Sequence, residues 1–259
     1  ASLLRAHAEL HKKYKALEII VPQTLVITTE GFEDFVNQND LLWLAEADLP
    51  DEEIAAAFLK SEFPNWIVDG LRGYLAKVNY PLAIRSSSLL EDAQFRAYTG
   101  LYKTYMLSND APEIETRLAH LLEAVKRVYA SSYFRAPKDF SKRVGHRTEE
   151  EKMAVIIQQL VGERTNGFFY PAISGVGHSC NYYPFGHQRQ EDGIATIALG
   201  LGCAVMAGEQ TLRFSPKYPM LLPQRSTVGD TLDNAQRNFY SLRMDGSSAS
   251  LSTEEQAHL

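Results

Sequence analysis

The sequence lacks any run of about 18 apolar residues, so it predicts no membrane-spanning helix. It also lacks a basic excess, because 26 lysines and arginines stand against 32 aspartates and glutamates, a net charge of −6. This balance argues against binding to nucleic acid or to an anionic membrane. A site for a negative ligand must therefore concentrate positive charge locally. The first residues mix charged with apolar side chains and are not typical of a signal peptide.

Cysteine is scarce as well. Cys180 and Cys203 are far apart and show no metal-type spacing, so two buried thiols in a reducing cytoplasm are the simplest interpretation. Nevertheless, 259 residues of which 45% are hydrophobic can bury a core of one large domain or two lobes. The chain starts without methionine and within a helical pattern, and we expect it to be part of a longer protein.

Hydrophobic periodicity predicts a mixture of helices and strands. Helical spacing occurs in residues 3–17, 31–44, 48–59, 67–78 and in a long segment from Pro112. Short apolar runs predict strands at residues 24–28, 82–85, 101–107, 153–161, 168–177 and 194–199. Thr29 is expected to cap the second helix. The polar, basic residues 134–151 are expected to form a connection, and the pattern fades after Pro216.

The chain is predicted to be richer in strands from about Met153 onwards. We therefore expect an α+β fold with two lobes. The first lobe is residues 1–152, with a helical insert, and the second is the β-rich, truncated segment 153–259. A cleft between two lobes is the usual place for a small-molecule site, so we expect one there.

The most informative motif is an arginine that ends a buried strand and is followed by hydroxyls. Arg85 precedes Ser86–Ser88, and a guanidinium held by a strand presents a planar fork of donors suited to phosphate oxygens. The later turn Tyr98–Gly100 contains a glycine, which allows the backbone to approach a polyphosphate closely. The alternative is a capped turn in which the arginine pairs on the surface with Glu91 or Asp92.

Five motifs follow one another in order between about residues 20 and 216. They are Val21-Pro22 before the strand 25–28, Arg85-Ser86-Ser87 with its acidic pair and the turn Tyr98-Thr99-Gly100, the strand 154–161, Ser174-Gly175-Val176-Gly177, and Gly200-Leu201-Gly202 with Val205 and Gly208. This ordered set resembles the nucleotide-binding domain of the phosphoenolpyruvate synthase and pyruvate phosphate dikinase family. The resemblance implies an ATP-grasp-like fold, incomplete at both ends.

The resemblance also implies a function and a site. In the family, ATP binds between the lobes, a phosphoryl group passes to a histidine on a swivelling domain, and from there it reaches pyruvate. The phosphohistidine and pyruvate-binding domains would lie downstream in the same full-length protein. Arg85 is implied as the catalytic, phosphate-binding residue. The residues implied to bind ATP are Arg85, Ser86, Ser87, Tyr98, Thr99, Gly100, Gln158, Gln159, Leu160 and Val161.

The sequence departs from the family in several ways. The family's glycine-glycine-lysine segment and its late acidic metal ligands have no counterpart here, and Cys203 stands where an acidic residue is usual. Mg²⁺ is expected to accompany ATP, but its ligands are not found in this chain, and no metal site is predicted. We therefore expect the fragment alone to be inactive. A non-catalytic regulatory module with the same fold, or a related dikinase with another acceptor, remains an alternative.

Several of these residues also have simpler interpretations. Gln158 fits a structural amide on a buried strand, and Gly200 and Gly202 fit turn positions. The basic residues among 138–147 are more typical of a solvated loop than of a phosphate site. The two histidines near aromatic residues, His178 and His187, have no acid or base partner at a suggestive spacing and are expected to be structural or surface residues.

Overall fold

The computed structural model describes residues 13, 18–88, 102–145 and 147–245, which form an α+β fold. The chain divides into two compact units. The first comprises Ala1–Asn109 and Glu113–Leu160, and the second comprises Asp110–Pro112 and Val161–Leu259. The division therefore lies later than the sequence-based one after residue 152, because the strand at 154–159 pairs entirely within the first unit.

The first unit contains a four-stranded antiparallel sheet in the order β1-β4-β2-β3. Its strands are β1 (Thr24–Ile27), β2 (Leu82–Ser87), β3 (Thr104–Leu107) and β4 (Ala154–Gln159). The two central strands fix the register, since Ile84 lies opposite both Ile157 and Tyr105. Strand β2 continues two residues beyond Arg85, which therefore lies within the strand and not at its end as the sequence suggested.

Helices cover one face of this sheet. They are α1 (Thr29–Gln38), a 3₁₀ helix (Leu42–Ala45), α2 (Asp51–Lys60), α3 (Asn65–Leu75), α4 (Ile114–Ser131) and α5 (Arg135–Val144). Helices α1 and α4 contact the strands directly, and α2 and α3 pack against α4. The N-cap of α1 is Thr28 and not the expected Thr29, and its side chain makes no capping hydrogen bond.

The covered face of the sheet forms the core because side chains alternate between the two faces of a strand. Ile84, Val155 and Ile157 point to this face and are fully buried. Next to them lies an aromatic cluster contributed by the helices and by the segments between them, in which Phe32 contacts Tyr129 edge to face with 4.9 Å between ring centroids. Its members are Phe32, Phe35, Phe58, Phe63, Tyr129 and Tyr133.

The prediction that residues 134–151 form a polar connection is wrong. The segment forms α5 and a short 3₁₀ helix, Thr148–Glu150. The solvated-loop interpretation also fails for Lys138, which is buried and donates hydrogen bonds from Nζ to the carbonyl oxygens of Leu44 and Ala47 at 2.6 and 2.8 Å. Burial lowers the pKa of Lys138. This lysine therefore anchors α5 to the end of the first 3₁₀ helix.

The second unit contains two small antiparallel sheets. One has the order β10-β6-β5 and the other β7-β8-β9. Their strands are β5 (Glu163–Thr165), β6 (Phe168–Tyr170), β7 (Ile173–His178), β8 (Ile194–Leu199), β9 (Leu212–Phe214) and β10 (Leu242–Arg243). The single strand expected at 168–177 is divided in two at Pro171, which cannot donate a ladder hydrogen bond.

Two short helices complete the second unit. They are α6 (Cys203–Ala207) and α7 (Val228–Asp233), with a 3₁₀ helix at Pro223–Arg225 between them. The strand expected at 194–199 is confirmed residue for residue. The helix expected at 3–17 and the loop expected at 246–252 lie outside the described residues, apart from Lys13. Within the described part of the chain, no helix is long and apolar enough to cross a membrane.

Candidate functional site

Arg85 lies near the centre of the face of the first unit's sheet that no described helix covers, which we call the uncovered face. It pairs with Thr104 on β3 and with Ile156 on β4, while its neighbours Ile84 and Ser86 point to the buried side. Its side chain is exposed and makes no hydrogen bond or ion pair within the described residues. The strand thus fixes the Cα of Arg85 and leaves all five guanidinium donors available.

The side chains around Arg85 on this face are neutral. Directly paired residues in an antiparallel sheet point the same way, so one row crosses the sheet through Arg85 and ends at the exposed Val26. The uncovered-face positions of the four strands are Thr24, Val26, Ala83, Arg85, Ser87, Thr104, Met106, Ala154, Ile156 and Gln158. None of these strand positions carries a carboxylate. An anion that approaches Arg85 therefore meets one positive charge and no negative charge from the strands.

The serines after Arg85 lie on alternate sides of the chain. Ser87 lies two residues after Arg85 and shares its face. Ser86 and Ser88 are buried, and both already have interaction partners. The structure thus brings Ser87, and not the Ser86 side chain, to the same face as Arg85.

The end of β4 is divided in the same way. Gln158 shares the face of Arg85, and its Nε2 donates to Thr24 Oγ1 at 3.2 Å. Gln159 points to the other face, and its Oε1 accepts a hydrogen bond from the Gln23 N–H at 3.3 Å. The next two residues leave the strand. The Leu160 N–H donates to the Pro81 carbonyl at 2.9 Å, and Val161 is exposed.

The remaining predicted site residues cannot be placed. Tyr98, Thr99 and Gly100 lie outside the described residues, as do the acidic residues Glu91 and Asp92. Across the ranges that are described, no three His, Cys, Asp or Glu side chains are arranged to hold a metal ion.

The comparison with known families decides the relationship. The family described as "Pyruvate phosphate dikinase, AMP/ATP-binding domain" matches residues 1–258. The chain belongs to this family. Family membership supports ATP as the ligand of this AMP/ATP-binding domain.

Three curated relatives are longer proteins. An uncharacterized phosphotransferase, YvkC, of Bacillus subtilis (strain 168) is 27% identical over 74% of the chain and 20% of its own length. A phosphoenolpyruvate synthase of Aeropyrum pernix is 25% identical over 74% of the chain and 24% of its own length. A rifampicin phosphotransferase of Bacillus cereus is 23% identical over 60% and 19%, respectively. The chain thus spans 19–24% of the length of these relatives.

The Gly-Leu-Gly segment of the AMP/ATP-binding domain is a tightly fixed turn. Gly200 has a φ of +76°, and a Cβ at this position would lie 2.6 Å from the Tyr240 carbonyl oxygen. The Leu201 N–H donates to that same oxygen at 2.8 Å. Tyr240 also donates from its hydroxyl to the Glu209 carboxylate. A turn role for Gly200 is therefore evident, whatever ligand this segment meets.

Sequence reasoning missed a buried carboxylate in the first unit. Glu151 is buried just before β4, and its Oε1 accepts a hydrogen bond from the Tyr102 hydroxyl at 3.1 Å. The polar, basic composition of residues 134–151 concealed it, because no periodic pattern marked Glu151 as an inward-facing position. A tyrosine before a predicted strand and an acid before another are too common to reveal such a pair.

Proposed function

We propose that the chain is the ATP-binding domain of a phosphotransferase that passes a phosphoryl group from ATP to a histidine on another domain and then to pyruvate. The observation that carries the proposal is the exposed Arg85, which pairs with no described residue and lies among neutral side chains of the described strands. Family membership and the names of the longer relatives support it. Downstream phosphohistidine and pyruvate-binding domains are its proposed partners.

Arg85 is proposed to bind the phosphates of ATP. A guanidinium donates two parallel hydrogen bonds to phosphate oxygens, and no carboxylate at the described strand positions of this face opposes the attraction. Ser87 lies on the same face and is proposed to add a hydroxyl donor. Ser86 contributes by holding the strand, since its side chain is buried. Tyr98, Thr99 and Gly100 remain assigned to a loop over the phosphates.

The end of β4 is proposed to contact adenine. Gln158 offers an amide on the face of Arg85, and amides pair with the edge of a purine. Gln159 is proposed to hold β4 against the segment before β1 through its contact with Gln23. Leu160 and Val161 follow directly and complete the set of residues assigned to the base.

The described residues do not fit a magnesium site. Mg²⁺ prefers carboxylate oxygens, and the uncovered-face positions of the strands carry none. No step of the transfer is therefore assigned to a metal held by these residues. We propose that the chain alone binds ATP but transfers no phosphoryl group.

A titration of ATP followed by calorimetry tests the role of Arg85. The variant Arg85→Gln is expected to lose about 1–3 kcal/mol of binding free energy, the scale of a hydrogen bond to a charged group. Arg143→Gln is the matched control, because it removes another exposed arginine of the same unit, on α5. Equal affinity of the wild-type chain and Arg85→Gln for ATP rules out the phosphate role.

The second candidate is a regulatory module that binds nucleotide without transferring phosphate. Cys203, directly after Gly202 at the start of α6, has no negative charge to offer where the family usually has an acid. Incubation of the full-length protein with ATP separates the two functions. Formation of AMP supports the transferase, whereas binding without AMP supports the module. AMP formation with an acceptor other than pyruvate supports a related dikinase with a different acceptor.

A further inference from the structure

Two neighbouring cavities in the second unit share a wall formed by Arg213 and Gln224. The larger measures about 320 Å³ and also contacts Glu209 and Asn234, and the other measures about 280 Å³. Arg213 lies on β9 opposite Thr196 and is exposed. Its guanidinium makes no hydrogen bond or ion pair with any described residue. We call these two neighbouring cavities together the Arg213 groove.

One end of the Arg213 groove is aromatic. Tyr183, Phe185 and Phe214 line the 280 Å³ cavity, and the first two are 83% and 53% exposed. The loop that carries them is nevertheless built on a buried residue. Asn181 is 2% exposed, and its Oδ1 accepts a hydrogen bond from the Tyr183 N–H at 3.1 Å. These rings are therefore presented to solvent by a fixed backbone.

The amide side chains of the groove are already oriented by the protein. Gln188 Oε1 accepts hydrogen bonds from the Phe185 N–H at 3.2 Å and from Asn181 Nδ2 at 3.4 Å, which leaves its NH₂ group as a donor. Gln224, by contrast, is held through its NH₂ group. Its Nε2 donates to the Thr211 carbonyl at 2.9 Å, which leaves its Oε1 as an acceptor. The 280 Å³ cavity thus presents a guanidinium, one amide donor and one amide acceptor, whereas the Glu209 carboxylate lines only the 320 Å³ cavity.

We propose that the Arg213 groove binds a small planar aromatic anion that carries a hydrogen-bond donor. The guanidinium and the Gln188 amide take the anionic group, the Gln224 oxygen accepts from the donor, and the rings pack on the aromatic face. The size is adequate, since a cavity of about 150 Å³ accommodates benzene. The proposal rests on other residues than the ATP site and does not depend on it.

The test uses the full chain and 4-hydroxybenzoate, which combines a carboxylate, a flat ring and a hydroxyl donor. Calorimetric titration is expected to show saturable binding at millimolar concentration or below. Three matched probes each lack one feature: 4-hydroxybenzamide lacks the charge, benzoate lacks the donor, and 4-hydroxycyclohexanecarboxylate lacks the flat ring. Each is expected to bind more weakly. Absence of saturable binding of 4-hydroxybenzoate overturns the proposal, as does equal binding of the cyclohexane analogue.

Variants locate the binding. Arg213→Gln is expected to weaken it by about tenfold or more, the effect of losing a charge-assisted hydrogen bond. Arg237→Gln is the charge-matched control, because Arg237 is exposed in the same unit and lines neither cavity. Tyr183→Ala is expected to weaken binding by roughly 2- to 10-fold, the scale of one aromatic contact. Tyr182→Ala is its control, since that neighbouring ring is 75% exposed and lies outside the cavity.

A last variant separates this proposal from the ATP proposal. Arg85→Gln is expected to leave the affinity for 4-hydroxybenzoate unchanged, and Arg213→Gln is expected to leave the affinity for ATP unchanged. Loss of 4-hydroxybenzoate binding in Arg85→Gln assigns the probe to the other site and refutes the groove. Loss of ATP binding in Arg85→Gln, with 4-hydroxybenzoate still bound, supports both proposals and shows that the two sites are separate.

Discussion

The two units bury their sheets differently. In the first unit, the inward side chains of the central strands, such as Ile84 and Ile157, are 0% exposed. In the second unit, Ile173 on β7 and Leu199 on β8 are 58% and 56% exposed. Burial of apolar area is the main stabilising contribution to a fold. We infer that packing stabilises the first unit, and that the second depends more on hydrogen bonds between its loops.

The hydrogen bonds of the second unit support this contrast. The amide of Gln236 pairs with both backbone groups of Leu199: Oε1 accepts from the N–H at 2.8 Å, and Nε2 donates to the carbonyl at 3.1 Å. A neighbouring strand would make the same pair of bonds. Tyr240 then continues the pairing along Gly200 and Leu201. One side chain and a short segment thus replace a strand at the end of β8.

The largest effect is expected from isoleucines in the two sheets. Ile84→Ala is expected to cost about 2–5 kcal/mol of stability, because it opens a cavity in a filled core. Ile173→Ala is the matched variant, and it is expected to cost less than about 0.5 kcal/mol since that side chain is exposed. Hydrogen exchange of each unit's peptides measures both effects. The fluorescence of Trp43 and Trp66 follows the first unit alone, because both tryptophans lie there. Equal costs contradict the contrast.

A smaller effect is expected from two glycines of the second unit. Gly208 has a φ of +70° and open space around it, so Gly208→Ala is expected to cost about 1–2 kcal/mol for the left-handed backbone alone. Gly200 has a similar φ, but a Cβ there would also lie 2.7 Å from the Phe239 ring. Gly200→Ala is therefore expected to cost more. Hydrogen exchange of the peptides around β8 measures the difference in stability. If Gly200→Ala costs no more than Gly208→Ala, the segment around Tyr240 moves to accommodate the added Cβ.

Sequence reasoning recovered the parts of the fold that repeat with a period. The short apolar runs at residues 82–85 and 153–161 predicted both central strands, and the helical spacing of Leu118, Leu121 and Val125 predicted α4. Family membership then confirmed the relationship that the ordered motifs indicated.

Contacts between side chains and distant backbone could not be predicted in this way. Lys138 reaches a carbonyl 94 residues away, and Gln236 pairs with a strand 37 residues earlier. Neither contact leaves a periodic trace, because a single side chain makes it. The hydrogen bonds of Gln236 and Tyr240 to the end of β8 were therefore not predicted, since both residues follow Pro216, where the hydrophobic pattern fades. The oriented amides of the Arg213 groove were missed for the same reason.

The ion pairs of the two units should respond to acid in the same direction. In the second unit, the hydrogen bond from Lys217 and one from the Arg189 N–H lower the pKa of Asp192, whose side chain is 2% exposed. In the first unit, the hydrogen bond from Arg72 lowers the pKa of Glu115, which is far more exposed. A carboxylate whose pKa is lowered in the folded state stabilises the fold at any pH above its ordinary pKa. This stability is lost as the pH falls from the ordinary pKa through the lowered pKa.

The variant Lys217→Met is therefore expected to flatten the acid dependence of the second unit. Below the ordinary aspartate pKa of 3.8, the wild-type chain should lose stability more steeply than Lys217→Met. Urea unfolding between about pH 5 and pH 2, followed by circular dichroism, measures both slopes. Arg72→Met serves as the comparison in the first unit, where exposure should make the change small. Parallel curves for the wild-type chain and Lys217→Met would refute a role of this pair in acid stability.

The smallest effect is expected from tyrosine hydroxyls. Here the residue of the first unit is expected to contribute less to stability than the residue of the second. Tyr133 is fully buried in the first unit, and its hydroxyl has no hydrogen-bond partner among the described residues. Burial raises the pKa of Tyr133 to about 12. Tyr133→Phe is expected to change the stability by less than about 0.5 kcal/mol at neutral pH, or to increase it, because it removes an unsatisfied polar group. Tyr240→Phe is expected to cost about 0.5–1.5 kcal/mol, since it removes the hydrogen bond to Glu209.

Alkaline unfolding provides the control for Tyr133. An unfolded tyrosine loses its proton near its ordinary pKa of 10, whereas the buried Tyr133 keeps it, so the wild-type chain should lose stability as the pH rises above 10. Phenylalanine does not titrate, and the Tyr133→Phe variant should lose less over the same range. Tryptophan fluorescence during urea unfolding follows this unit directly. A loss of 1 kcal/mol or more at neutral pH, on the scale of about one net hydrogen bond, would show that the Tyr133 hydroxyl has a stabilising partner.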